Sequence, residues 1–550
     1  MSLLEDATLA FRQAFADAGL PAPSVPLAAS PNPSLGDLAS SEALGLARKL
    51  GKPPREIAVG VAERLTGCGI FARIGVDGPG YVNVSFADEA IERAATTARA
   101  PAAATGRTVL VDFGGPNVAK DLHVGHLRSG VIGDVLMRIG AETGHDMISD
   151  LHAGDWGLPV GMLIAELGDD PPPGSVEALN ELYVRASTRC KADAAALEAA
   201  KAATVALQNE EPEAMAKWRC IAALSVASAL AVFARLGIHF THAMGESDSR
   251  LFVEETERRL AGALREDDGA QVVGTESGNV VFRKSDGGLT YAATDLATLV
   301  QRTYAPAPDE ILYVVDARQA QHFRQVFEVA RSRLIPEGMA VEHVSFGTVN
   351  GADGKPLRTR DGGVPKLSGL LDEAIEACAD RLRARGVDDA AKASATALGI
   401  GAVRFADLAT PRETGYAFDL AQMTSAEGRT GPYLAYSITR ARGVVRKGAG
   451  AGHPIGAAKV AGSKARRALL LAVAGYPDAL RSAWERRAPH LLCNHALEVA
   501  EATNALYQAG SVLREADESE RAASLGAFDL AETHLTHVMR LLGIEVPERM

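Results

Sequence analysis

The sequence predicts three units in one chain: an N-terminal α+β domain, a central α/β domain on a parallel sheet, and a C-terminal all-α helical bundle. Three observations predict this. The 550 residues are too many for one hydrophobic core. From Arg107, a strand, a helix and a second strand follow within about 40 residues, a βαβ unit that implies parallel pairing. From about Ala397 to Met550 the pattern is almost wholly helical.

In chain order, a helical stretch runs from Leu3 to Ala18, followed by a Pro-rich link from Pro21 to Pro33. Helical patterns recur around Ser40–Leu50 and Arg55–Leu65. Gly78-Pro-Gly starts a turn, and Tyr81–Phe86 alternates apolar and polar residues as a strand does. The Ala/Thr-rich run from Ala94 to Thr105 reads as a linker. Thr108–Phe113 is a short β-rich run, Leu127–Thr143 a long helix and Met147–Asp150 a second strand. Ile311–Val315 and His343–Phe346 are candidates to complete the sheet. Val176–Leu236, rich in Ala, Glu and Lys, reads as a helical insertion. The expected division is 1–100, then 106–395 with a helical insertion at about 165–280, then 396–550.

Composition is that of an ordinary soluble globular chain, about half apolar and a quarter charged. No uninterrupted apolar run approaches a membrane span, and Met1–Asp6 lacks the features of a signal peptide, so the expected compartment is the cytoplasm, with no membrane partner. The five cysteines form no C-x-x-C pair, which indicates neither a zinc knuckle nor a disulfide framework. A net charge of −12 argues against non-specific nucleic-acid binding over the whole surface. A local basic face would still suffice for phosphate contact.

Open parallel sheets bind ligands beyond the carboxyl ends of their strands. After the first strand comes Gly114-Gly-Pro-Asn-Val-Ala-Lys-Asp-Leu-His-Val-Gly-His126. Its two histidines, with Gly125 between them, fall where the next helix begins. A helix N-terminus offers free N–H groups and a positive dipole end to phosphate. Imidazoles there can donate to triphosphate oxygens, and Gly125 leaves room for a nucleoside. Taken alone, the pattern also fits a surface loop. A metal site is a third possibility, but no nearby carboxylate cluster in the sequence supports it.

The flanks narrow the choice. His123-Val-Gly-His126 resembles the HIGH motif of class I aminoacyl-tRNA synthetases. Pro116–Lys120 before it and Leu127-Arg-Ser129 after it resemble the arginyl-tRNA synthetase family in particular. Gly154–Gly157, Gly161–Ile164, Gly245-Glu-Ser247, Tyr291–Asp295, Tyr313–Val315 with Gln319 and His322-Phe323, Thr430–Tyr433 and Leu541–Met550 are similar to further blocks of that family, in its order. Ser34–Asp37 and Gly78–Tyr81 are similar to its N-terminal addition.

The resemblance implies a Rossmann-like catalytic domain that activates L-arginine with ATP, accompanied by Mg2+, and transfers it to tRNA(Arg). Carried over residue by residue, Glu246, Tyr291 and Asp295 would face the guanidinium, and Asn117 and Gln319 would bind the α-amino and carboxylate end. Arginine's planar five-donor fork needs such acceptors. If their segment is helical, Tyr291 and Asp295 lie on one face. His123 and His126 would be catalytic, Gly125 and His322 ATP-binding. The counterpart of the KMSKS loop is Asp353–Arg360, where Lys355, Arg358 and Arg360 keep the loop basic although Pro356 and Thr359 stand at the lysine positions. Lys120 matches a lysine that replaces the missing loop lysine in this family. No protein ligand for a metal is read, and the chain is expected to be a monomer. The family also needs bound tRNA for efficient activation.

The chain departs from the family pattern in places. Leu158-Pro-Val160 replaces a more polar stretch, Arg429 a common asparagine and Ala435 a common glutamine. Asp529, Glu532, His534 and His537 stand on the last helix where arginines are frequent. Acidic residues there would weaken a basic RNA-facing surface. The alternatives are therefore a paralogue that charges a non-tRNA acceptor and a catalytically silent binding relative. Intact His123, His126 and Lys120 argue against silence.

Overall fold

The computed structural model describes residues 2–351, 353–355, 357, 365–384, 386, 391–548 and 550. The N-terminal unit opens with helix Leu3–Asp17, started by a reciprocal capping box between Ser2 and Glu5. Helices Glu42–Leu50 and Pro54–Leu65 follow. An antiparallel four-stranded sheet runs in the order Ala28–Ala29, Leu38–Ser40, Tyr81–Phe86, Phe71–Asp77. Phe11, Phe15, Val61, Leu65, Val82 and Val84 form the core between helices and sheet. The strand Phe71–Asp77 is missing from the sequence reading. A bulge between Phe71 and Arg73 shifts its register and breaks the alternation that marks a strand.

The Ala/Thr-rich run is only partly a linker. Ala94–Thr97 ends the helix Asp88–Thr97, whose Ile91 and Ala95 are buried. Low complexity masked the fact that alanine is the best helix former. Glu92 of this helix accepts from the Val460 N–H at 2.7 Å and pairs with Lys459 at 3.0 Å, so the helix is tied to the C-terminal bundle.

The central sheet is parallel throughout, in the order Ala340–His343, Glu310–Tyr313, Thr108–Asp112, Asp146–Asp150. The two later candidates fall on strands of this sheet: Glu310–Tyr313 starts one residue earlier than expected, while Ala340–His343 starts three earlier and shares only His343 with the expected run. From Thr108–Asp112 the chain crosses to Asp146–Asp150 on one side and later to Glu310–Tyr313 on the other. The switch point therefore lies at the end of the first strand.

Helices Leu158–Leu167, Val176–Ala192, Ala194–Gln208 and Pro212–Arg235 build the insertion. It has its own core around Val160, Leu163, Leu179, Leu207 and Ile221. Among the described residues, Pro212–Arg235 alone is long and apolar enough to cross a membrane; here Ile221, Ala229 and Phe233 bury in the cores it joins. The insertion is not helical to residue 280. Leu264–Asp267, Ala270–Thr275 and Gly278–Arg283 form an antiparallel sheet. Its first turn, Asp268-Gly269, has positive φ at both residues (48° and 77°), as two-residue hairpin turns require. That Asp-Gly pair was the available signal.

The C-terminal region is helical, as the pattern predicts, and its main elements include Gly431–Gly450, His490–Gln508 and Glu518–Leu541. Helix Ala391–Leu408 joins it to the sheet domain through charge. Arg404, fully buried, donates to Asp134 Oδ2 at 2.5 Å, to the Leu236 carbonyl at 2.8 Å and to the Leu542 carbonyl at 3.0 Å. One guanidinium thus fastens the sheet domain, the end of the insertion and the chain's last turn. Arg404→Leu would leave these acceptors without their donor away from water, although Arg138 still pairs with Asp134 at 2.9 Å. The expected loss is about 3 kcal/mol, the low end for breaking a buried ion pair. It is read as a lower urea midpoint, and a loss below about 1 kcal/mol would refute the clasp.

Candidate active site

At the carboxyl ends of three adjacent strands, Asp112 of the first stands in register with Tyr313 on one side and with Asp150 on the other. Both carboxylates are buried. Arg302 donates to Asp112 at 2.7 Å and to Asp150 at 2.6 Å. Burial pushes the Asp112 carboxyl above its usual range, against the pull of Arg302. At Asp150 burial acts in the same sense, but Arg302 and His152 outweigh it and hold the carboxyl low. Asp112, Asp150 and His152 are the one group among the described residues with metal-ligand spacing, their ligand atoms within 4.8 Å of one another. The sequence did not show these carboxylates converging. Arg302 already supplies a cation there.

Above this floor lies a cavity of about 400 Å3, the size of a small-ligand site. It is lined by Asn117, Glu246, Tyr291, Asp295, Gln319 and His322 of the predicted set, with Asp112, His152 and Tyr313. Asn117 is carried by the loop after the first strand, which pairs with Gly154. Glu246 opens a short helix whose position is fixed by Asp155: this carboxylate accepts the Ser247 N–H at 3.0 Å and the Ser247 hydroxyl at 2.7 Å. The Gly154-Asp-Trp-Gly and Gly245-Glu-Ser blocks, about ninety positions apart, thus meet in one constellation. Tyr291 and Asp295 begin the helix Tyr291–Tyr304 and share the expected face. Tyr291 is 65% exposed, at the cavity mouth. Asp295 Oδ2 lies 2.5 Å from His322 Nε2, so His322 joins the Asp295 side of the site.

His123 and His126 lie at the start of the helix Val124–Glu142. The Gly125 N–H donates to His123 Nδ1 at 3.0 Å, and the His123 N–H donates to His126 Nδ1 at 3.0 Å. With both Nδ1 atoms accepting, each neutral ring carries its proton on Nε2 and can donate it outward. Burial, then Lys120 and Arg318, lower the His123 imidazole; burial, His123 and Lys120 bring His126 down to about 3. Both rings are therefore neutral donors at physiological pH. Gly125 has a second reason to lack a side chain, since a Cβ there would lie 2.8 Å from His123 Cε1 and displace the capping ring.

Lys120 sits on the same loop, half-buried, its ammonium 4.7 Å from the ring centre of Tyr183. Lys355 lies on an exposed turn. Arg358 and Arg360 fall outside the described residues. Lys366 bridges the His123 backbone and pairs with Asp121 at 2.8 Å, beside the histidine motif.

A larger concavity of about 770 Å3 lies in the C-terminal bundle. The Arg440 guanidinium lies 4.5 Å from the ring centre of Tyr436 and 4.8 Å from that of Tyr507, with Arg446, Lys447 and Met550 on its rim. Sequence reasoning missed it; the only signal was Tyr436 and Arg440 four apart on one helix face. Of the residues that depart from the family pattern on the last helix, none is fully exposed. His534 is fully buried, 2.8 Å from His495; Glu532 pairs with Arg442 at 2.7 Å and His537 with Glu142 at 2.9 Å; Asp529 is half-buried. Glu532, His534 and His537 thus make internal contacts rather than a free acidic face, and Asp529 is the one departure left without a side-chain contact of this kind among them.

Glu246 shows how the cavity treats charge. Burial first, then Asp295 and Asp155, push its carboxyl up to about 8. A guanidinium ligand favours the ionised form and lowers that value. Binding therefore releases a proton below pH 8, and affinity rises with pH up to about 8 and then levels. Calorimetry of L-arginine binding, with whatever partner binding requires, in two buffers of different ionisation enthalpy should show release of about one proton near pH 7. Glu246→Gln should abolish it, and unchanged release in that variant would transfer the titration to another group.

Comparison with known proteins agrees with this geometry. A family model for the class I (R) tRNA synthetase catalytic domain matches residues 91–420. An arginyl tRNA synthetase N terminal domain model matches 5–86, and a DALR anticodon binding domain model matches 434–550. Arginine–tRNA ligases of Hyphomonas neptunium and Maricaulis maris are 38% and 39% identical, with 100% and 92% of both chains covered. The solved arginyl-tRNA synthetase of Thermus thermophilus superposes with a TM-score of 0.83 at 26% identity over 100% of both chains. That of Plasmodium falciparum gives 0.85 at 21%, over 100% of this chain and 99% of its own.

Proposed function

The chain belongs to the arginyl-tRNA synthetase family, and from that premise we propose how its residues share the work. It activates L-arginine with ATP and transfers it to tRNA. An arginine carboxylate oxygen attacks the α-phosphorus in line, pyrophosphate leaves, and arginyl-adenylate forms. A 2′ or 3′ hydroxyl of the terminal adenosine of tRNA(Arg) then attacks the carbonyl carbon, and AMP leaves.

One observation carries this reading: an acidic cavity at the sheet's switch point beside a loop that ends in two neutral imidazole donors. Glu246 and Asp295 take the guanidinium, with Tyr291 at the mouth. Asn117 and Gln319 hold the amino and carboxylate end. His123 and His126 donate from Nε2 to phosphate oxygen, Gly125 leaves room for the nucleoside, and Lys120 supplies positive charge as pyrophosphate charge develops. His322 orients Asp295 and borders the nucleotide side. Lys355, with Arg358 and Arg360 of the same sequence block, supplies further positive charge for the departing pyrophosphate. Catalysis is positioning and charge stabilisation, without a protein nucleophile.

Magnesium accompanies ATP, held by the substrate's own phosphates. The Asp112, Asp150 and His152 group does not suit a resident metal, since Arg302 already bridges its carboxylates. The basic aromatic concavity around Tyr436, Arg440 and Tyr507 is suited to unstacked bases, because aromatic faces and guanidinium planes stack on them. The enzyme works in the cytoplasm as a monomer.

Arginine-dependent exchange of pyrophosphate into ATP tests the assignment. Exchange should be near background alone and rise sharply with tRNA(Arg), which becomes arginylated. Fast exchange without RNA, and no arginylation with it, would overturn the tRNA reading and favour another acceptor. Lys120→Ala should slow activation by roughly 10²-fold, the scale of one lost transition-state charge contact, while the melting temperature moves little. Normal exchange in that variant would move the role to Lys355 or Arg358.

A further inference from the structure

We infer that Tyr183 is a positioning residue for Lys120, so that the helical insertion sets the geometry of the activation step. This rests on the reading of Lys120 above. Tyr183 lies on the helix Val176–Ala192, 63 positions from Lys120, and its half-buried ring faces the ammonium at 4.7 Å. A cation over an aromatic face is held electrostatically, more firmly as water is excluded.

The backbone of Lys120 is held by the same insertion. Val118 and Ala119 belong to the insertion's hydrophobic core, with Trp156, Leu179 and Tyr183, rather than to the core of the sheet. The Ala119 N–H donates to the buried Ser225 hydroxyl on Pro212–Arg235 at 2.9 Å. Ala119 is fully buried at φ 58°, a left-handed conformation that a residue with a side chain keeps only where its surroundings enforce it. The insertion thus fixes where the Lys120 side chain starts, through Ser225 and Ala119, and where it ends, through Tyr183. Without the ring, a four-carbon side chain regains rotamers and the ammonium meets the phosphate less often.

The test uses Tyr183→Leu and Tyr183→Phe, each in the parent and in the Lys120→Ala background, with tRNA-dependent pyrophosphate exchange at saturating substrates. Tyr183→Leu should lower kcat roughly 3- to 30-fold, the range of a single cation–π contact, with KM for arginine within about twofold. Tyr183→Phe should stay near the parent, because it keeps the ring face. In the Lys120→Ala background Tyr183→Leu should cost nothing further, since the two act as a unit. An equal loss in both backgrounds would mark a merely structural role and overturn the inference. So would a loss in Tyr183→Phe as large as in Tyr183→Leu, or a Tyr183→Leu rate equal to or above the parent's. Full activity of Lys120→Ala would overturn the reading of Lys120 itself, and this inference with it.

Discussion

Two carboxylates at neighbouring strand ends, out of water, need a cation between them, and Arg302 is that cation. Its position follows from the helix that carries it. Tyr291, Asp295, Thr298 and Arg302 are spaced four, three and four apart, so they share one face, which runs along the cavity. The ion pairs to Asp112 and Asp150 pin the last turns of that face across the strand ends and thereby aim the first turns at the ligand. Buried pairs are poor sources of net stability, because desolvation offsets most of the attraction. What they impose is register. A shifted helix would strand three charges in a low dielectric, so the arrangement that places Asp295 is the one that keeps Arg302 paired.

The upper half of the cavity is not balanced in this way. Glu246 and Asp295 line it, with the buried Asp155 acting on Glu246 from outside the cavity, and the chain gives Asp155 the Ser247 groups and Asp295 the His322 ring as polar partners. The free protein answers by keeping Glu246 protonated. In the proposed reading a guanidinium completes the site, because its fork can meet two carboxylates at fixed angles. A lysine ammonium is a compact point charge, which leaves one acceptor short. Selectivity for arginine then comes mainly from the cost of carboxylates left unpaired around the wrong ligand.

Local periodicity made much of this legible in the sequence. The strand before Gly114, the helix after His123 and the shared face of Tyr291 and Asp295 need only a few consecutive residues to be recognised, and the structure has all three. Phe71–Asp77 and the hairpins of Leu264–Arg283 were lost because a bulge or short strand length spoils that periodicity. The last helix was misread for a different reason. Composition gives charge but not direction, and nothing near His534 or Glu532 in sequence reveals His495 or Arg442 opposite them. The same limit hid the convergence of Asp112 with Asp150 and the contact between Lys120 and Tyr183, which exist only once the chain has folded.

One element connects the reactive loop to the bundle along its whole length. The helix Val124–Glu142 has 19 residues and so spans about 28 Å. Its N-terminus is capped by His123. In the next turn Arg128, fully buried, pairs with Asp407 at 2.9 Å; farther on Asp134 holds Arg404; at the end Glu142 meets His537 of the last helix. The buried charges among these contacts cannot slide without exposing unpaired groups, so helix and bundle move together or not at all. The insertion grips the other side of the same loop at Val118 and Ala119. The loop that carries Lys120, His123 and His126 is therefore held between two bodies, the bundle and the insertion, and neither alone fixes its geometry. A ligand that bridges bundle and insertion would favour one relative placement of the two over any other, which is the physical requirement for its binding energy to assemble the site. In the proposed reading, an RNA held at the Tyr436–Arg440–Tyr507 concavity of the bundle that also touches the insertion would meet that requirement, whereas a small ligand in the cavity spans neither body.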